Sequence, residues 1–171
     1  MMANVEPTHN HLPHERRTLF LIGPSGSGKS VIGQKTADLT SWRLFDTDAA
    51  ILRRTGSENI AAIFDQPCGE SNFRRMEEEC IREIQTMGEQ IIVATGGGLP
   101  AIDGLMPKLN SLGLTVYLKA SVDMLWTRLS MDPKRLADRP LLREGGHQVL
   151  QEMLVLRESI YSQAAVVLDT E

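Results

Sequence analysis

The sequence predicts an α/β protein, a three-layer sandwich in which helices cover both faces of a five-stranded parallel sheet. Two observations carry this prediction. Short apolar runs alternate along the chain with stretches whose apolar residues recur every three or four positions, and this alternation is typical of parallel sheets covered by helices. The 171 residues also give room for one ordinary domain and hardly for two.

In the first half of the chain, strand and helix patterns alternate clearly. The predicted elements are, in order, a strand at 18–22, a helix to about residue 39, a strand at 43–45, helical pieces over 49–66 with a break at 55–56, a helix over 71–87 and a strand at 90–94. The helix over 71–87 has the clearest pattern, because its apolar residues fall at steps of three and four. These residues are Phe73, Met76, Cys80, Ile84 and Met87.

The second half continues the alternation but contains one irregular segment. The predicted elements are a helix over 101–109, a strand at 114–118, a helix from Ser121 to about residue 129, a helix over 147–161 and a strand at 164–168. Residues 131–146 are rich in charge, proline and glycine and show no period. Such a segment indicates either a solvated loop or a mobile lid over a site.

Composition excludes several classes of function. The net charge of −4 argues against general nucleic-acid binding, and no apolar run approaches the roughly 20 residues of a membrane span. Residues 1–17 are polar and hold three of the four histidines, which could suggest a metal site, but a disordered tail is the preferred interpretation. Residues 18–171 are then a single domain, and the lack of an apolar leader predicts the cytoplasm.

A glycine-rich loop follows the first strand. Residues 23–30, GPSGSGKS, match the phosphate-loop pattern G-x-x-x-x-G-K-[ST]. Its glycines let successive N–H groups face phosphate oxygens, and the next helix directs its positive end toward the same anion. Lys29 would add a cation for the β- and γ-phosphates, and the Ser30 hydroxyl would bind Mg²⁺. We predict a nucleotide site of the P-loop kinase type rather than a chance turn. A guanine-specific N-K-x-D is absent, which argues against a GTPase.

Two carboxylates follow the second strand. Asp46 and Asp48 are two residues apart where that strand ends, and such residues point to the same side of extended backbone. Ligands of open α/β sheets bind at the carboxyl ends of the strands. We therefore predict that one carboxylate acts through the water shell of a metal and that the other accepts a proton. The alternative is that Asp48 only caps the next helix.

Three charged residues lie on predicted helices. Arg74 and Glu77 are one turn apart beside the apolar face of the long helix, a spacing that a surface ion pair usually explains. Arg157 keeps helical steps with Leu150 and Tyr161, so its guanidinium should lie on the inner face of the last helix. An unpaired charge there is costly, and either a protein carboxylate or a substrate anion should meet it.

Glycines and cations complete the candidate site. Gly96, Gly97 and Gly98 end the third strand, and three successive glycines indicate a close backbone approach, whereas a tight turn would need only one. If the irregular segment is a lid, its cations would close over phosphates. These cations are Lys134, Arg135, Arg139 and Arg143.

Eight short motifs occur in a characteristic order. They are GPSGSGKS (23–30), FDTDAAI (45–51), TG (55–56), IAAIF (60–64), GESNFRRME (69–77), TGGG (95–98), RPLL (139–142) and RESIY (157–161). Together they resemble the shikimate kinase family, and the resemblance covers nearly the whole chain from Thr18 to Leu168. The phosphate loop alone is generic, whereas the FR..E, GGG and RPLL motifs in this order are specific.

The resemblance implies ATP- and Mg²⁺-dependent phosphorylation of the 3-hydroxyl of shikimate, a step in the synthesis of aromatic amino acids. It implies ATP and shikimate as small-molecule partners of a monomer, with no nucleic acid or membrane. The implied catalytic residues are Lys29, Asp48 and Arg139, and the implied metal residues are Ser30 and Asp46. The implied nucleotide-binding residues are Gly26, Ser27, Gly28, Lys29, Ser30, Val31, Arg128 and Arg139. The implied acceptor-binding residues are Asp48, Arg74, Glu77, Gly97, Gly98 and Arg157.

The resemblance also implies individual roles. Asp48 would bind the ring hydroxyls and serve as the base, and Asp46 would act through Mg²⁺-bound water. The carboxylate would be held by Arg74, which Glu77 steadies, and by Arg157. The backbone of Gly97 and Gly98 would lie beside the ring. Arg139 would contact the transferred phosphate, and Arg128 would lie on the adenine side.

The chain departs from the family at a few positions, and two alternatives stay open. Val31 stands where the family often has Thr, Gln34-Lys35 replaces a more usual Gly-Arg, and residues 131–138 are irregular. One alternative is another small-molecule kinase on the same scaffold, similar to gluconate or nucleoside monophosphate kinases. The other is a non-catalytic nucleotide-binding homologue, against which the intact Lys29 and Asp48 argue.

Overall fold

The computed structural model describes residues 18–88, 90–143 and 145–171, without the side chains of Arg135 and Pro140. Five strands form one parallel sheet in the order β2-β3-β1-β4-β5, which confirms the predicted fold class. The strands are β1 (Thr18–Ile22), β2 (Arg43–Asp46), β3 (Ile91–Ala94), β4 (Leu114–Lys119) and β5 (Val166–Asp169). The tail expected over residues 1–17 lies outside the described residues.

Helices connect the strands and cover both faces of the sheet. They are α1 (Lys29–Thr40), α2 (Thr47–Thr55), α3 (Ile60–Phe64), α4 (Gly69–Thr86), α5 (Leu105–Leu112), α6 (Val122–Ser130), α7 (Pro133–Ala137), α8 (Pro140–Arg143) and α9 (Gly146–Tyr161), with a 3₁₀ turn at Leu99–Ala101. Within the described ranges, no helix combines the length and the apolar character needed to cross a membrane.

The central strand β1 shows how the three layers form. Its side chains alternate between the two faces. Phe20 and Ile22 are fully buried in the main core with residues of α4, whereas Leu21 packs with Ala37 of α1 on the opposite face. The continuous apolar run of β1 is therefore explained by burial of both faces of the strand.

The register of the sheet brings three loops to one edge. Leu21 pairs with Ala94 of β3, and Asp46 of β2 pairs with the same residue from the other side. The chain leaves β1, β2 and β3 at almost the same level, so the phosphate loop, the two aspartates and the three glycines meet there. Carboxyl ends of parallel strands are the usual ligand-binding edge.

The long helix α4 follows its predicted pattern. Phe73, Cys80 and Ile84 are buried in the main core, which confirms the apolar face and the assignment of Cys80 to the core. The same face also buries Glu77 completely. A carboxylate in the core is unexpected from periodicity, and the site explains its position.

Three predicted elements differ from the structure. The helix expected over 101–109 is a 3₁₀ turn followed by α5 (Leu105–Leu112), because Gly104 adopts a left-handed φ of 74° that interrupts a helix. The irregular segment 131–146 contains the short helices α7 and α8, each of which begins at a proline, a favoured first helical residue. Strand β5 begins later than expected and is exposed along its length, because it pairs only with β4 at the edge of the sheet.

Candidate active site

Two clefts meet at the carboxyl edge of the sheet. The nucleotide cleft, lined by the phosphate loop, holds about 400 Å³, and the acceptor cleft beside it holds about 60 Å³. Both are lined by Ser25, Asp48, Gly97 and Arg139. Groups bound in the two clefts would therefore meet at Asp48 and Arg139.

The phosphate loop has the backbone that its glycines predict. Gly26 has a φ of 86°, and an added Cβ there would lie 2.9 Å from the carbonyl oxygen of Leu125, so only glycine fits. Helix α1 begins at Lys29 without a side-chain cap. Its first N–H groups are therefore available to an anion, where the helix dipole also favours negative charge. Ser27, Gly28, Ser30 and Val31 line the cleft as predicted.

Lys29 lies buried beneath this loop. Its Nζ donates hydrogen bonds to the carbonyl oxygens of Gly23 and Pro24, both at 2.8 Å. Burial and the charge of Arg139 lower the pKa of Lys29 to about 7, and the charges of Asp48 and Asp46 oppose this shift. A phosphate group in the cleft would add anionic charge and favour the protonated amine.

Ser30 and Asp46 form the candidate metal site. The Ser30 hydroxyl donates a 2.7 Å hydrogen bond to Asp46 Oδ2, and both residues line the nucleotide cleft. Hydroxyl and carboxylate oxygens suit Mg²⁺, which also keeps waters and binds substrate phosphates. No three His, Cys, Asp or Glu side chains in the described part of the chain group as an all-protein metal site. The pair thus fits a metal held together with a nucleotide.

The local geometry of the two aspartates differs from the prediction. Asp46, not Asp48, caps α2, because its Oδ1 accepts a 3.0 Å hydrogen bond from the Ala49 amide. Asp48 lies in the first turn of α2 and not on extended backbone, so the argument that both side chains point to the same side of a strand is wrong. Both still line the nucleotide cleft, because the helix begins directly at the strand end.

One carboxylate oxygen of Asp48 has no hydrogen-bond partner among the described residues. Its Oδ2 lies 3.5 Å from Arg139 Nη1, and its Oδ1 is buried with no hydrogen-bond partner among the described residues. Burial raises the pKa of Asp48, as do Asp46 and Asp138, while Arg139 and Lys29 lower it. A buried acceptor without a donor is costly, and a substrate hydroxyl would satisfy it.

Arg74 and Glu77 form a buried ion pair instead of the surface pair that their spacing suggests. Arg74 Nη1 lies 2.7 Å from Glu77 Oε2, and Arg74 also contacts Glu70 at 3.2 Å. Glu77 is fully buried. Burial raises the pKa of Glu77 to about 7, with Arg74 opposing, and its Oε1 is without a hydrogen-bond partner in the described chain.

The three glycines let these side chains approach the backbone. A Cβ on Gly96 would lie 2.3 Å from Glu77 Oε1, and one on Gly98 would lie 2.4 Å from Arg74 Nη1. Neither glycine has a positive φ. The predicted close approach is therefore present, and its reason is space for a carboxylate and a guanidinium.

Arg157 lies on the inner face of α9, as its spacing predicts. It lines the acceptor cleft together with Arg74 and Gly98. Its charge and its hydrogen bond lower the pKa of Tyr161, which burial raises. No ion pair joins Arg157 to a carboxylate within the described chain, so the acceptor cleft contains a cation that a substrate anion could pair with.

The two remaining arginines border the nucleotide cleft. Arg139 follows α7 in the segment 131–146, and its Nε is buried with no described hydrogen-bond partner. Arg128 of α6 donates hydrogen bonds to the carbonyl oxygen and the hydroxyl of Thr170. That contact fixes Arg128 at the rim of the nucleotide cleft.

Several site residues escaped the sequence reasoning. The Thr47 hydroxyl accepts a 2.8 Å hydrogen bond from the Gly96 amide, and the Tyr161 hydroxyl donates a 2.6 Å hydrogen bond to the Gly97 carbonyl. Both lie inside recognised motifs, which is the only signal that could have identified them. Asp138 contacts residues 77 and 78 positions away, and no local pattern marks such a contact.

Comparison with known families identifies relatives of the whole domain. The family model described as shikimate kinase matches residues 25–171. The shikimate kinase of Alteromonas mediterranea is 39% identical over 159 residues, which cover 92% of this chain and 89% of that protein. The shikimate kinase of Actinobacillus succinogenes is 39% identical over 153 residues, which cover 88% of this chain and 83% of that protein.

Solved structures of similar proteins agree with these matches. A shikimate kinase from Acinetobacter baumannii in complex with shikimate superposes with a TM-score of 0.81 at 31% identity, covering 90% of this chain and 83% of that chain. The shikimate kinase from Bacteroides thetaiotaomicron gives a TM-score of 0.78 at 28% identity, covering 89% of this chain and 85% of that chain.

Proposed function

Because the chain belongs to the shikimate kinase family, we propose that it transfers the γ-phosphate of ATP to the 3-hydroxyl of shikimate. The observation that carries the proposal is the shared wall of the two clefts. There Oδ1 of Asp48, which has no hydrogen-bond partner among the described residues, lies between a phosphate-binding loop and an acceptor cleft lined by three arginines. This arrangement suits an acid that carries ring hydroxyls.

The nucleotide side of the proposed site is cationic and rich in backbone donors. The loop at Gly26–Gly28 and the first turn of α1 would bind the phosphates through N–H groups. Lys29 would stabilise the charge that develops on the transferred group. Ser30 and Asp46 would hold Mg²⁺, and the ion would neutralise the β- and γ-phosphates when bound. Val31 and Arg128 would border the nucleoside.

The acceptor side would hold the shikimate carboxylate and ring. Arg74, positioned by Glu77, and Arg157 would bind the carboxylate, because guanidinium groups suit bidentate carboxylate recognition. The backbone of Gly97 and Gly98, which lines the same cleft, would lie beside the ring. The three contacts together would orient the 3-hydroxyl toward the nucleotide cleft.

Asp48 is the proposed general base. Its Oδ1 would accept the proton of the 3-hydroxyl while the hydroxyl oxygen forms a bond to the γ-phosphorus and the bond from phosphorus to the ADP oxygen breaks. The raised pKa of Asp48 makes its carboxylate a better proton acceptor. Arg139, 3.5 Å from Asp48, would reach the transferred phosphoryl group from the other side.

We further propose a monomer in the cytoplasm. Every proposed site residue comes from the same chain, so a second copy is not needed to complete either cleft. The proposed reaction consumes ATP and requires Mg²⁺, and the cytoplasm supplies both. Sedimentation at enzyme concentrations used for assay tests the monomer, and a stable dimer would contradict it.

A coupled assay of ADP release tests the proposed reaction. Shikimate, quinate, gluconate and AMP serve as alternative acceptors, and shikimate should give the highest kcat/KM. Asp48→Asn should lower kcat about 10²- to 10⁴-fold, the usual contribution of a general base, with little change in ATP binding. The exposed Asp103→Asn is the matched control. A preference for another acceptor would contradict the proposed substrate, and a shift in KM alone would make Asp48 a binding residue.

A further inference from the structure

One carboxylate of the segment 131–146 reaches across the acceptor cleft to a distant helix. Asp138 Oδ1 accepts hydrogen bonds from the backbone amides of Ile60 at 2.6 Å and Ala61 at 3.4 Å. These amides belong to the first turn of α3, where a helix has no internal acceptors for its N–H groups. Asp138 therefore caps α3 from outside.

The start of α3 is capped twice, by residues with different positions in the chain. Asn59 caps it locally, because its Oδ1 accepts a 2.8 Å hydrogen bond from the Ala62 amide. The local cap serves one N–H group, and Asp138 serves the two before it. Loss of Asp138 would thus leave α3 with a cap but remove the hydrogen bonds that join its first turn to the segment 131–146.

The same segment also contacts the other end of α3. Arg143 Nη2 lies 3.9 Å from Asp65 Oδ1, at the residue that ends the helix. Between the two contacts, Leu142 is buried against Leu129 and Leu150 of α6 and α9. The segment is therefore held along the length of α3, with its tightest hydrogen bond at Asp138.

The neighbour of Asp138 is the arginine that borders both clefts. Arg139 Nη1 lies 3.5 Å from Asp48, so a shift at Asp138 would move this guanidinium from the shared wall. In this arrangement the acceptor cleft holds about 60 Å³, far below the roughly 300 Å³ at which ligand pockets usually begin. Entry of an acceptor requires the segment to move, and its return requires a contact that restores the position of Arg139.

We propose that Asp138 is a positioning residue, a latch that fastens the segment 131–146 to the first turn of α3 and thereby places Arg139 over the shared wall. The proposal rests on the function proposed for Arg139. Hydrogen bonds to a charged acceptor are stronger than those to a neutral one. The fastened state should therefore lose about tenfold in population when the carboxylate is removed.

Three variants separate the latch from other effects. Asp138→Ala removes the acceptor and the charge, whereas Asp138→Asn removes the charge and keeps an acceptor oxygen. Any influence of the Asp138 charge on Asp48 is lost in both variants, whereas the latch is lost in Asp138→Ala and only weakened in Asp138→Asn. Asn59→Ala is the matched control, because it removes a cap from the same helix turn without touching the segment 131–146.

Position of the segment is measured first without any acceptor or nucleotide. Trypsin can cleave after Lys134 and Arg135, and Trp126 packs in the same cluster as Leu142. The chain has two tryptophans, so a Trp42→Phe background leaves Trp126 as the only fluorescent one. Asp138→Ala should accelerate cleavage about tenfold and shift the Trp126 emission to longer wavelength, with Asp138→Asn between it and the parent protein. Asn59→Ala should match the parent.

Kinetics then test the connection to Arg139. Asp138→Ala should lower kcat/KM for shikimate about tenfold, with partial recovery in Asp138→Asn. Unchanged cleavage in Asp138→Ala, or equal acceleration in Asn59→Ala, would overturn the latch. Faster cleavage with an unchanged kcat/KM would overturn the placement of Arg139. Because cleavage is measured without shikimate, a failure of the proposed function leaves the latch measurement intact.

Discussion

The nucleotide cleft and the acceptor cleft share a wall but are built in opposite ways. Eight contiguous residues, 23–30, supply the turn, the N–H groups, the cation and the hydroxyl of the nucleotide cleft. The acceptor cleft takes Asp48 from α2, Arg74 and Glu77 from α4, three glycines from the loop after β3 and Arg157 from α9. One cleft is a local backbone shape, and the other is a meeting of side chains from distant elements.

Because the two clefts are built differently, substitutions in them should affect different properties of the protein. The nucleotide cleft would bind mainly through backbone groups, so a change at Lys29, its proposed catalytic side chain, should cost little packing. The acceptor cleft contains a fully buried carboxylate, Glu77, paired with Arg74, and removal of one partner of such a pair affects both stability and affinity. Substitutions should therefore affect turnover on one side, and binding and stability on the other.

The strongest test of this contrast is Lys29→Met. A cation at the transferred phosphoryl group contributes about 10³- to 10⁵-fold to kcat, and we expect a loss in this range with an unchanged circular dichroism spectrum. Lys35→Met, at an exposed position of the same helix, is the control and should behave like the parent protein. Near-normal kcat in Lys29→Met would remove the phosphate loop from the catalytic machinery.

On the acceptor side, Arg157→Ala should weaken shikimate and spare ATP. Loss of one partner of a buried charge pair costs about 2–5 kcal/mol, which corresponds to a roughly 30- to several thousand-fold higher Kd. Arg157→Lys should recover part of this, because an ammonium lacks the bidentate geometry. Tm should change little, since no ion pair with a carboxylate is broken in the described chain.

Titrations of shikimate and of ATP into the same protein samples measure how the Arg157 substitutions change each Kd. The exposed Arg75→Ala controls for the loss of a positive charge. An unchanged Kd for shikimate combined with a large fall in Tm would make Arg157 a structural residue.

The buried Glu77 should give the unfolding free energy a specific pH dependence. Its pKa is about 7 in the folded protein against a reference of 4.5, so the folded state binds this proton more tightly. Its contribution is present below about pH 4.5 and is lost as pH rises through 7, by about 3 kcal/mol in total. Glu77→Gln should remove this slope in urea titrations between pH 4.5 and 7.5. The exposed Glu58→Gln should retain it, and an equal slope in Glu77→Gln would contradict the assignment.

The smallest expected effect is a change in KM when either of two neighbouring glycines, Gly97 and Gly98, is replaced by alanine. A Cβ on Gly98 would meet the Arg74 guanidinium, whereas one on Gly97 would lie 3.3 Å from the backbone nitrogen of Ser25 in the phosphate loop. Gly98→Ala should raise KM for shikimate about tenfold, because it displaces the flexible end of Arg74. Gly97→Ala should instead raise KM for ATP. The same KM pattern in both variants would show that the clefts are not separable at this loop.

The sequence predicts the parts of the molecule that depend on local spacing. The phosphate loop, the apolar face of α4 and the inward position of Arg157 all follow from contiguous or helical patterns. Strand β5 was predicted from its apolar run, but its position at the sheet edge depends on pairing order, which an apolar run does not encode. The break before α5 depends on the left-handed φ of Gly104. The helix was predicted through this residue because the apolar pattern continues across it.

Contacts between distant elements are what the sequence could not provide. Arg74 and Glu77 have the spacing of a surface ion pair, and only the packing of α4 against the glycine loop shows that Glu77 is buried. Asp46 has the capping role that the alternative interpretation gave to Asp48, because α2 begins at Thr47, two residues before the predicted start of the helical stretch. The contact of Asp138 with α3 spans 78 residues and has no local signature.

The buried Lys29 couples nucleotide binding to the uptake of protons from the solvent. Its pKa of about 7 means that, near neutral pH, roughly half of the free molecules carry an uncharged amine. Phosphate groups favour the charged amine, so each binding event would take up to about half a proton from the buffer. Hydrogen ions are then a third ligand of the protein, and alkaline conditions oppose the nucleotide before any group of the acceptor cleft is involved.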